Sequence, residues 1–263
     1  MPLVALHEKT EIEMYARRNP LLHLFELGDL DDYYWPHTVW YGLKEADTVR
    51  QLALLYTALT TPVLLANADP PLDLMRELLH ALIPLLPRRV YAHIHPALVD
   101  VVRRDYAVHS HGIHYRMGLR DRSRVISVDT SAVTVLSEAD LHALEALYRE
   151  SYPGTWVTAQ MLQTGCYYGI RESSAIVSVA GVHIYAPGYK VAALGNVTTH
   201  PRMRGRGLAR AVCARLCQAL LQDGVEQIGL NVKADNRSAI ACYTGLGFEQ
   251  VAEFGAYSVE WGV

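Results

Sequence analysis

The sequence NVTTHPRMRGRGLARAV, residues 196–212, most constrains what this chain can fold into. It begins as a β-like segment, passes through Pro201 and an alternation of arginine and glycine, and then takes on the periodicity of an amphipathic helix. Gly224 is the expected end of that helix. The apolar residues of its buried face recur four apart, at Leu208, Val212, Leu216 and Leu220. A strand, a glycine-rich turn and a helix in direct succession are typical of an α/β architecture.

The turn in this segment is a candidate anion site. The first turn of an α-helix leaves backbone N–H groups unpaired, and the helix dipole favours negative charge there. Gly205 and Gly207 allow a ligand to approach the backbone closely, and the arginines at 202, 204 and 206 add positive charge. Considered alone, the run is explained equally well as a turn eased by glycine with solvated arginines.

Composition limits the partners of the chain. It has 263 residues and a formal net charge of −3, and 51% of its residues are hydrophobic. These values favour a globular protein with one or two cores. A net negative charge argues against an extensive nucleic-acid surface, so RNA binding by the Arg-Gly run is disfavoured. We expect no nucleic-acid partner.

Three features of the sequence bear on localisation. The N-terminal residues become charged before an apolar segment develops, so we expect no export signal. The stretch 51–68 contains threonines and a proline, and predicts two strands around a turn rather than a membrane span. The cysteines include no CxxC pair and lie at Cys166, Cys213, Cys217 and Cys242. We therefore expect reduced thiols, a cytoplasmic protein and no membrane partner.

A polar, charged segment at 117–132 divides the chain into two halves, and we predict domains at residues 1–124 and 125–263. In the second domain, Ser137 and Asp140 resemble a capping box at the start of a helix. Strand-like runs at 166–172, 175–186 and 191–199 follow with short links, which predicts an antiparallel meander. Beyond the glycine-rich turn and its helix we expect a strand around Ile228, a short helix capped by Asn236 and a final hairpin over 248–261.

The first domain repeats this order of elements faintly, with a helix predicted at 72–86. At the matching turn it reads NADPPLDLM, where Pro70 and Pro71 withhold amides and two aspartates oppose phosphate. We therefore expect the first domain to bind no such anion. The predicted fold class is α/β (α+β), with two tandem domains that each contain a mixed, mainly antiparallel sheet flanked by helices.

Two motifs in the second domain resemble the GNAT superfamily of acyl-CoA-dependent N-acyltransferases. The pattern R/Q-x-x-G-x-G/A after a strand and a proline is matched by Arg204, Gly207 and Ala209. A second register, Arg202, Gly205 and Gly207, also fits, but the spacing from Pro201 favours the first. The later segment is similar to the pattern N-x-x-A-x-x-x-Y-x-x-x-G-F, with matches at Asn236, Ala239, Tyr243, Gly247 and Phe248. The resemblance covers about residues 133–263, is nearest to the glycine N-acyltransferase-like branch, and on element order alone extends to the first half as a degenerate copy.

The resemblance implies specific binding residues. The pyrophosphate of coenzyme A is expected on the turn formed by Arg204, Gly205, Arg206, Gly207, Leu208 and Ala209. Backbone groups of Val197 and Thr199 are expected to pair with the pantetheine arm as a further strand would. Asn236 and Tyr243 lie two helical turns apart, so both can face the edge along which the arm passes.

The implied chemistry is transfer of an acyl group, most simply acetyl from acetyl-CoA, to a primary amine in a ternary complex. A tyrosine phenol, with a pKa near ~10, can protonate a departing thiolate whose conjugate acid has a pKa near ~8.5. We interpret Tyr243 as this general acid, although a core tyrosine would show the same pattern. Many relatives carry a glutamate early in the strand before the turn, but residues 189–199 contain no carboxylate. Glu172 and His183 are candidate substitutes for the base, although a surface acid and an ordinary strand histidine explain them more simply.

The sequence leaves the acceptor and the assembly open. A small molecule, an amino acid or a protein could supply the amine, and a homodimer is compatible with the sequence. The alternative function is a non-catalytic acyl-CoA sensor or assembly module, because the strand carboxylate is missing. The histidines of the first half could form metal pairs, but no cysteine or carboxylate completes a set, so we predict no metal; they are His93, His95, His109, His111 and His114.

Overall fold

The computed structural model describes residues 1–262 and divides into two compact units. Unit 1 comprises Met1–Arg116, Val232–Asp235 and the chain from Gln250 onward. Unit 2 comprises Met117–Asn231 and Asn236–Glu249. Each unit is a mixed, mainly antiparallel sheet with helices packed on it, which confirms the predicted fold class.

The elements follow the chain in the order that the sequence predicts for most of its length. The strands are β1 (Leu3–Leu6), β2 (Thr38–Glu45), β3 (Thr48–Tyr56), β4 (Val63–Ala66), β5 (Arg89–Ile94), β6 (Tyr106–Leu119), β7 (Thr134–Val135), β8 (Tyr168–Glu172), β9 (Ala175–Ala186), β10 (Val191–Thr199), β11 (Gln227–Lys233) and β12 (Phe248–Trp261). The helices are α1 (Lys9–Ala16), α2 (Leu24–Gly28), α3 (Asp73–Leu82), α4 (Val99–Val102), α5 (Arg122–Ile126), α6 (Leu141–Ser151), α7 (Ala159–Gln163), α8 (Leu208–Gln222) and α9 (Arg237–Gly245).

In unit 1 the strand order is β1-β2-β3-β4-β5-β12-β6. Neighbours from β1 to β4 are antiparallel, as are β5 and β12, whereas β4 and β5 are parallel. The stretch 51–68 forms the end of β3, a turn and β4, as predicted. Helix α3 packs one apolar face into the core because its buried residues recur at helical spacing, at Met75, Leu78, Leu79 and Leu82.

In unit 2 the strand order is β11-β10-β9-β8-β7. Strands β8, β9 and β10 form the predicted antiparallel meander, and β10 pairs with β11 in parallel. The capping box of Ser137 and Asp140 is present immediately before α6. Helix α8 buries the predicted face, since Val212, Leu216 and Leu220 are fully inaccessible, and Gly224 follows its end with a φ of 82°.

The hairpin expected over residues 248–261 is wrong, because these residues form the single strand β12. Gly255, the glycine of this segment, lies in the ladder opposite Ile94. A Cβ at Gly255 would come within 2.1 Å of the Tyr257 hydroxyl oxygen. This glycine therefore makes room for the neighbouring tyrosine side chain and does not reverse the chain. Within residues 1–262, no helix is long and apolar enough to cross a bilayer.

Candidate functional site

The strand, turn and helix predicted around the Arg-Gly run are all present in unit 2. Strand β10 ends at Thr199, a short 3₁₀ turn covers Pro201–Met203, and α8 begins at Leu208. The turn is fixed at its start by His200, whose Nδ1 accepts a hydrogen bond of 3.3 Å from the Arg202 amide. The glycine-rich stretch between Met203 and Leu208 therefore leads directly into the first turn of a 15-residue helix.

Both glycines of this stretch need the backbone freedom that the sequence predicted. Gly205 and Gly207 have φ values of 77° and 78°, in the left-handed region that L side chains rarely adopt. A Cβ added at either position would meet no atom within 4 Å. Among the described residues, no side chain caps the N-terminus of α8. Its first amides therefore have no side-chain acceptor among the described residues, and uncapped amides at a helix N-terminus are the groups that bind an anion.

The arginines of the run fall into two classes. Arg202 and Arg206 are exposed, so their charges contribute attraction at long range. Arg204 is also accessible, but its Nε donates to the carbonyl oxygen of Thr199 at 3.2 Å and its guanidinium lies 3.5 Å from the carbonyl oxygen of Ser151. Arg204 therefore links the turn to the end of β10 and to α6.

Strand β10 parts from β11 well before its own end. The register pairs Val191–Leu194 with Gln227–Leu230, whereas pairing with β9 continues as far as Thr199. The last five residues of β10, Gly195 to Thr199, therefore lie beyond the pairing with β11. At the usual rise per residue they span about 16 Å. This free edge contains Val197 and Thr199 and has the length to pair with an extended ligand.

A bulge interrupts β10 at the point where it leaves β11. The register shifts between Gly195 and Thr198, and Asn196 has a φ of 54°. Asn196 is 7% exposed and its polar atoms are fully engaged. Its carbonyl oxygen accepts from the Tyr148 hydroxyl at 2.8 Å, and its Nδ2 donates to the Trp156 carbonyl at 3.2 Å and to the Tyr167 hydroxyl at 3.0 Å.

His183 on β9 completes this polar network. Its Nε2 lies 2.9 Å from Asn196 Oδ1. Desolvation of the imidazole by the surrounding protein lowers the pKa of His183, and the hydrogen bond to Asn196 raises it in part. Burial also raises the pKa of Tyr167 to about 12 and raises that of Tyr148. All three groups are therefore neutral at pH 7.

Tyr243 lies on α9 in a crowded part of unit 2. It is 8% exposed, and its ring centroid is 6.0 Å from that of Phe248. Burial raises its pKa well above the ordinary value, and nearby Cys213 and Cys242 add to the effect. The phenol therefore keeps its proton at neutral pH, which the role of a general acid requires.

The other residues of the second motif have structural roles. Asn236 caps α9, since its Oδ1 accepts from the Ala239 amide at 3.2 Å. Gly247 has a φ of 90°, and a Cβ there would lie 2.2 Å from the Asp121 carbonyl oxygen. These contacts explain the asparagine and the glycine by local geometry, independently of any ligand.

The two candidate bases lie at different places along the meander. Glu172 is exposed and pairs with Ala175, beyond the level at which Thr199 pairs with Ser178. It therefore lies toward the end of the sheet where β10 enters the turn. His183 lies at the other end, beside the bulge. Sequence reasoning named His183 but missed its partners, although an asparagine inside the apolar run VAALGNV is a usable signal.

The histidines of unit 1 make separate contacts. The His93 ring lies 4.4 Å from the Phe254 ring, and the His109 and His111 rings lie 5.0 Å apart. His111 Nε2 is within 2.7 Å of Ser258 Oγ. Across residues 1–262, no group of three or more histidine, cysteine or acidic side chains is placed to hold a metal ion.

A buried ion pair occupies unit 1 where β4 ends. Arg116 and Glu26 are 1% and 0% exposed, with Arg116 Nη1 3.6 Å from Glu26 Oε2. Asn67, immediately after β4, donates to Glu26 Oε1 at 2.8 Å, and His23 Nδ1 lies 3.5 Å from the same atom. Burial by itself raises the pKa of Glu26. The opposing effects of His23, Arg116 and Asn67 are larger, so the pKa falls to about 2. The carboxylate is therefore ionised at neutral pH.

Comparison with known proteins bears on unit 2 most directly. Residues 137–248 match the family model described as acetyltransferase (GNAT) family. An uncharacterised protein of Mycobacterium leprae is 28% identical over 145 residues, which cover 50% of this chain and 39% of that protein. The mycothiol acetyltransferase of a Nocardioides species is 40% identical over 62 residues, which cover 24% of this chain and 21% of that enzyme. The chain thus spans less than half the length of the curated relatives it matches.

Two solved structures resemble almost the whole chain. A GNAT-family protein from Novosphingobium aromaticivorans has a TM-score of 0.63 at 20% identity, covering 93% of this chain and 100% of its own. A tandem GNAT protein from the clavulanic acid biosynthesis pathway has a TM-score of 0.56 at 13% identity, covering 100% of this chain and 99% of its own. At these identities the likeness concerns the fold.

Proposed function

Since residues 137–248 belong to the GNAT acetyltransferase family, we propose that the protein transfers an acetyl group from acetyl-CoA to a primary amine. The observation that carries the proposal is the turn from β10 into α8. It combines two glycines at positive φ, a helix N-terminus without a side-chain cap among the described residues, and exposed arginines. A pyrophosphate group fits this arrangement because it needs backbone amides and positive charge at close range.

The residues of unit 2 also fit the other parts of coenzyme A. The free edge of β10 offers Val197 and Thr199 to the amide groups of the pantetheine arm, as an added strand would be paired. Bound in this way, acetyl-CoA supplies an acyl group activated as a thioester. Tyr243 keeps its proton at neutral pH because burial raises its pKa, and we propose that this proton passes to the departing thiolate. We propose direct attack by the amine in a ternary complex.

We assign this activity to residues 125–263, and we propose that residues 1–124 bind no coenzyme A. Residues 1–124 have Pro70 and Pro71 at the turn where residues 125–263 have Gly205 and Gly207. Proline has no backbone N–H group to donate to a phosphate. A small molecule, an amino acid or a protein amine remains open as the acceptor. The four cysteines are free thiols, which supports a reducing, cytoplasmic setting. A homodimer is compatible with this assignment.

The test combines binding with turnover. Calorimetry measures acetyl-CoA affinity, and thiol release is followed with a panel of ethanolamine, glycine, glucosamine, spermidine and a short peptide with a free N-terminus. We expect binding and amine-dependent thiol release, with kcat reduced about 100-fold and affinity unchanged in Tyr243→Phe. Tyr185→Phe is the matched control, since its hydroxyl lies 3.5 Å from Asp223 Oδ2, and it should behave as the wild type. Binding without amine-dependent release by any member of the panel would instead support the acyl-CoA sensor.

A further inference from the structure

The described part of unit 1 buries two carboxyl groups but one guanidinium group. Glu26 and Asp29 are 0% and 5% exposed, and Arg116 is 1% exposed. Arg116 Nη1 lies 3.6 Å from Glu26 Oε2, and His23 and Asn67 also contact Glu26. Among residues 1–262, by contrast, no group donates a hydrogen bond to the carboxyl group of Asp29 or forms an ion pair with it. The fold therefore provides partners for Glu26 and none for Asp29.

The surroundings of Asp29 oppose its ionisation. Burial and the nearby charge of Glu26 raise the pKa of Asp29 well above its usual value. A carboxylate that is 5% exposed and has no partner lowers the stability of the folded protein, because it has lost most of its hydration. A positively charged ligand beside Asp29 would remove this cost.

Asp29 lies at the inner end of a short polar path to the surface of unit 1. Burial raises the pKa of Tyr56, at the end of β3, and the charges of Asp29 and Tyr33 raise it further. The three groups are therefore near one another, since charges act on a phenol over distances of several ångströms. Tyr56 is half-buried and Tyr33 is 56% exposed. Within the described chain, neither phenol oxygen has a hydrogen-bond partner.

The loop that carries Tyr33 is held in a fixed shape. Asp31 Oδ1 accepts a hydrogen bond from the Tyr33 amide at 3.0 Å, and the Asp31 carbonyl oxygen accepts one from the Trp35 amide at 2.9 Å. The carbonyl oxygen of His37 accepts from the amide of Thr57, the residue that follows β3, at 2.7 Å. These contacts hold the loop against the end of β3, so the wall of the site is formed before any ligand arrives.

The same loop already holds one ammonium group between a carboxylate and an aromatic ring. Lys9 Nζ lies 2.5 Å from Asp32 Oδ1 and 5.0 Å from the centre of the Trp35 ring. In that case the chain supplies the cation. Asp29 has the same two kinds of group around it, a carboxylate and aromatic rings, but the described chain places no cation there.

An alkylammonium fits this site better than a metal ion does. It has three N–H donors, and the site offers a carboxylate and two phenol oxygens as acceptors. Across residues 1–262, no set of three acidic, histidine or cysteine side chains is placed to hold a metal. We propose that Asp29, Tyr33 and Tyr56 bind the protonated amino group of a small primary amine. The proposal concerns unit 1 alone and does not depend on acetyl transfer.

The first experiment measures binding of propylamine to the full-length chain by calorimetry at pH ~8, where an amine with a pKa near that of lysine, ~10.4, is protonated. Asp29→Asn keeps the shape of the side chain and removes its charge, so we expect it to weaken binding about 30-fold or more. Asp32→Asn is the matched control, because it removes an exposed carboxylate from the same loop, and it should leave the affinity unchanged. No binding by the wild type, or equal affinity in Asp29→Asn, overturns the proposal.

Two further measurements separate ligand binding from a structural role. Asp29→Asn should be at least as stable as the wild type in chemical denaturation, because the chain provides no partner that the substitution could remove. A clear loss of stability would show that the chain itself neutralises Asp29, and would overturn the proposal. Tetramethylammonium, which has no N–H donor, and potassium should bind at least about tenfold more weakly than propylamine. Equal binding of either cation overturns the assignment to a primary amine.

The last measurement follows protons. The raised pKa keeps Asp29 protonated toward acid pH, so binding of the cation should release a proton there and the affinity should increase with pH. Glu26 stays ionised over this range because its pKa is about 2. Arg116, His23 and His37 are the other charged or titratable groups nearby, and they are present in both proteins. Calorimetry in phosphate and in Tris counts the protons, and the same release by Asp29→Asn contradicts the proposal.

Discussion

One parallel strand pair in each unit ends in a different way. In unit 1, β4 and β5 stay paired through Ala66 and Ile94, the last residues of both strands. In unit 2, β10 leaves β11 after Leu194 and continues for five residues to Thr199. At the end of β4 in unit 1 lies the buried ion pair of Glu26 and Arg116. The end of β10 in unit 2 leads into the glycine-rich turn before α8. The same order of elements thus gives a closed end in one unit and an open edge in the other.

The largest expected effect in this comparison comes from removing the negative charge of Glu26 at the end of β4. Glu26→Gln leaves Arg116 buried without its carboxylate, so we expect the free energy of unfolding of unit 1 to fall by about 3–5 kcal/mol. Chemical denaturation measures the loss. Glu45→Gln is the control, because its 3.5 Å pair with Arg50 is exposed and should contribute under ~1 kcal/mol. Equal effects of the two substitutions would show that the buried pair contributes little.

The pKa of Glu26 also predicts how the stability of unit 1 depends on pH. Its pKa in the folded protein is about 2, below the ordinary value of 4.5, so its stabilising contribution is complete above pH ~4.5. That contribution is lost as the pH falls toward 2. We therefore expect the stability difference between wild type and Glu26→Gln to narrow between pH 4.5 and 2 and to stay constant from pH 6 to 8. A difference that does not change with pH would contradict the ionised state of Glu26.

A substitution at the open end tests whether ligand access distinguishes the two units. Gly207→Val places a β-branched side chain where a bound phosphate would lie, and we expect acetyl-CoA affinity to fall about 100-fold. Gly224→Val is a close control, because Gly224 follows the other end of α8 with a φ of 82° and equally open space. Both variants carry similar backbone strain, so only Gly207→Val should weaken binding by calorimetry. A parallel loss in both would assign the effect to α8 itself.

The smallest effect concerns charge around the open turn. Arg206 is exposed, and Arg206→Ala should weaken acetyl-CoA binding about three- to tenfold and reduce its dependence on salt. Arg104→Ala removes an exposed charge from unit 1 and should leave both the affinity and its salt dependence unchanged. Titrations at two salt concentrations measure the difference. Identical salt dependence in the two variants would show that net charge, and not the turn, governs attraction.

The elements that the sequence predicted correctly are those specified by neighbouring residues. Helix α8 follows from apolar residues four apart, and the meander follows from runs of β-branched residues with short links. The ion pair of Glu26 with Arg116 joins residues far apart in the chain, so no local pattern indicates it. The hairpin predicted over residues 248–261 was wrong because Gly255 makes room for the Tyr257 side chain within a continuous strand.

The early parting of β10 and β11 also affects how the protein behaves without its ligand. A strand edge that can pair with a pantetheine arm can equally pair with the edge of another chain, which is how sheets begin to aggregate. The edge is short, and the bulge at Asn196 twists it, both of which limit such pairing. Coenzyme A would cover this edge and stabilise the folded state by mass action. Under the proposed function, coenzyme A would therefore protect the protein as well as react, and we expect preparations stored with it to stay monodisperse longer.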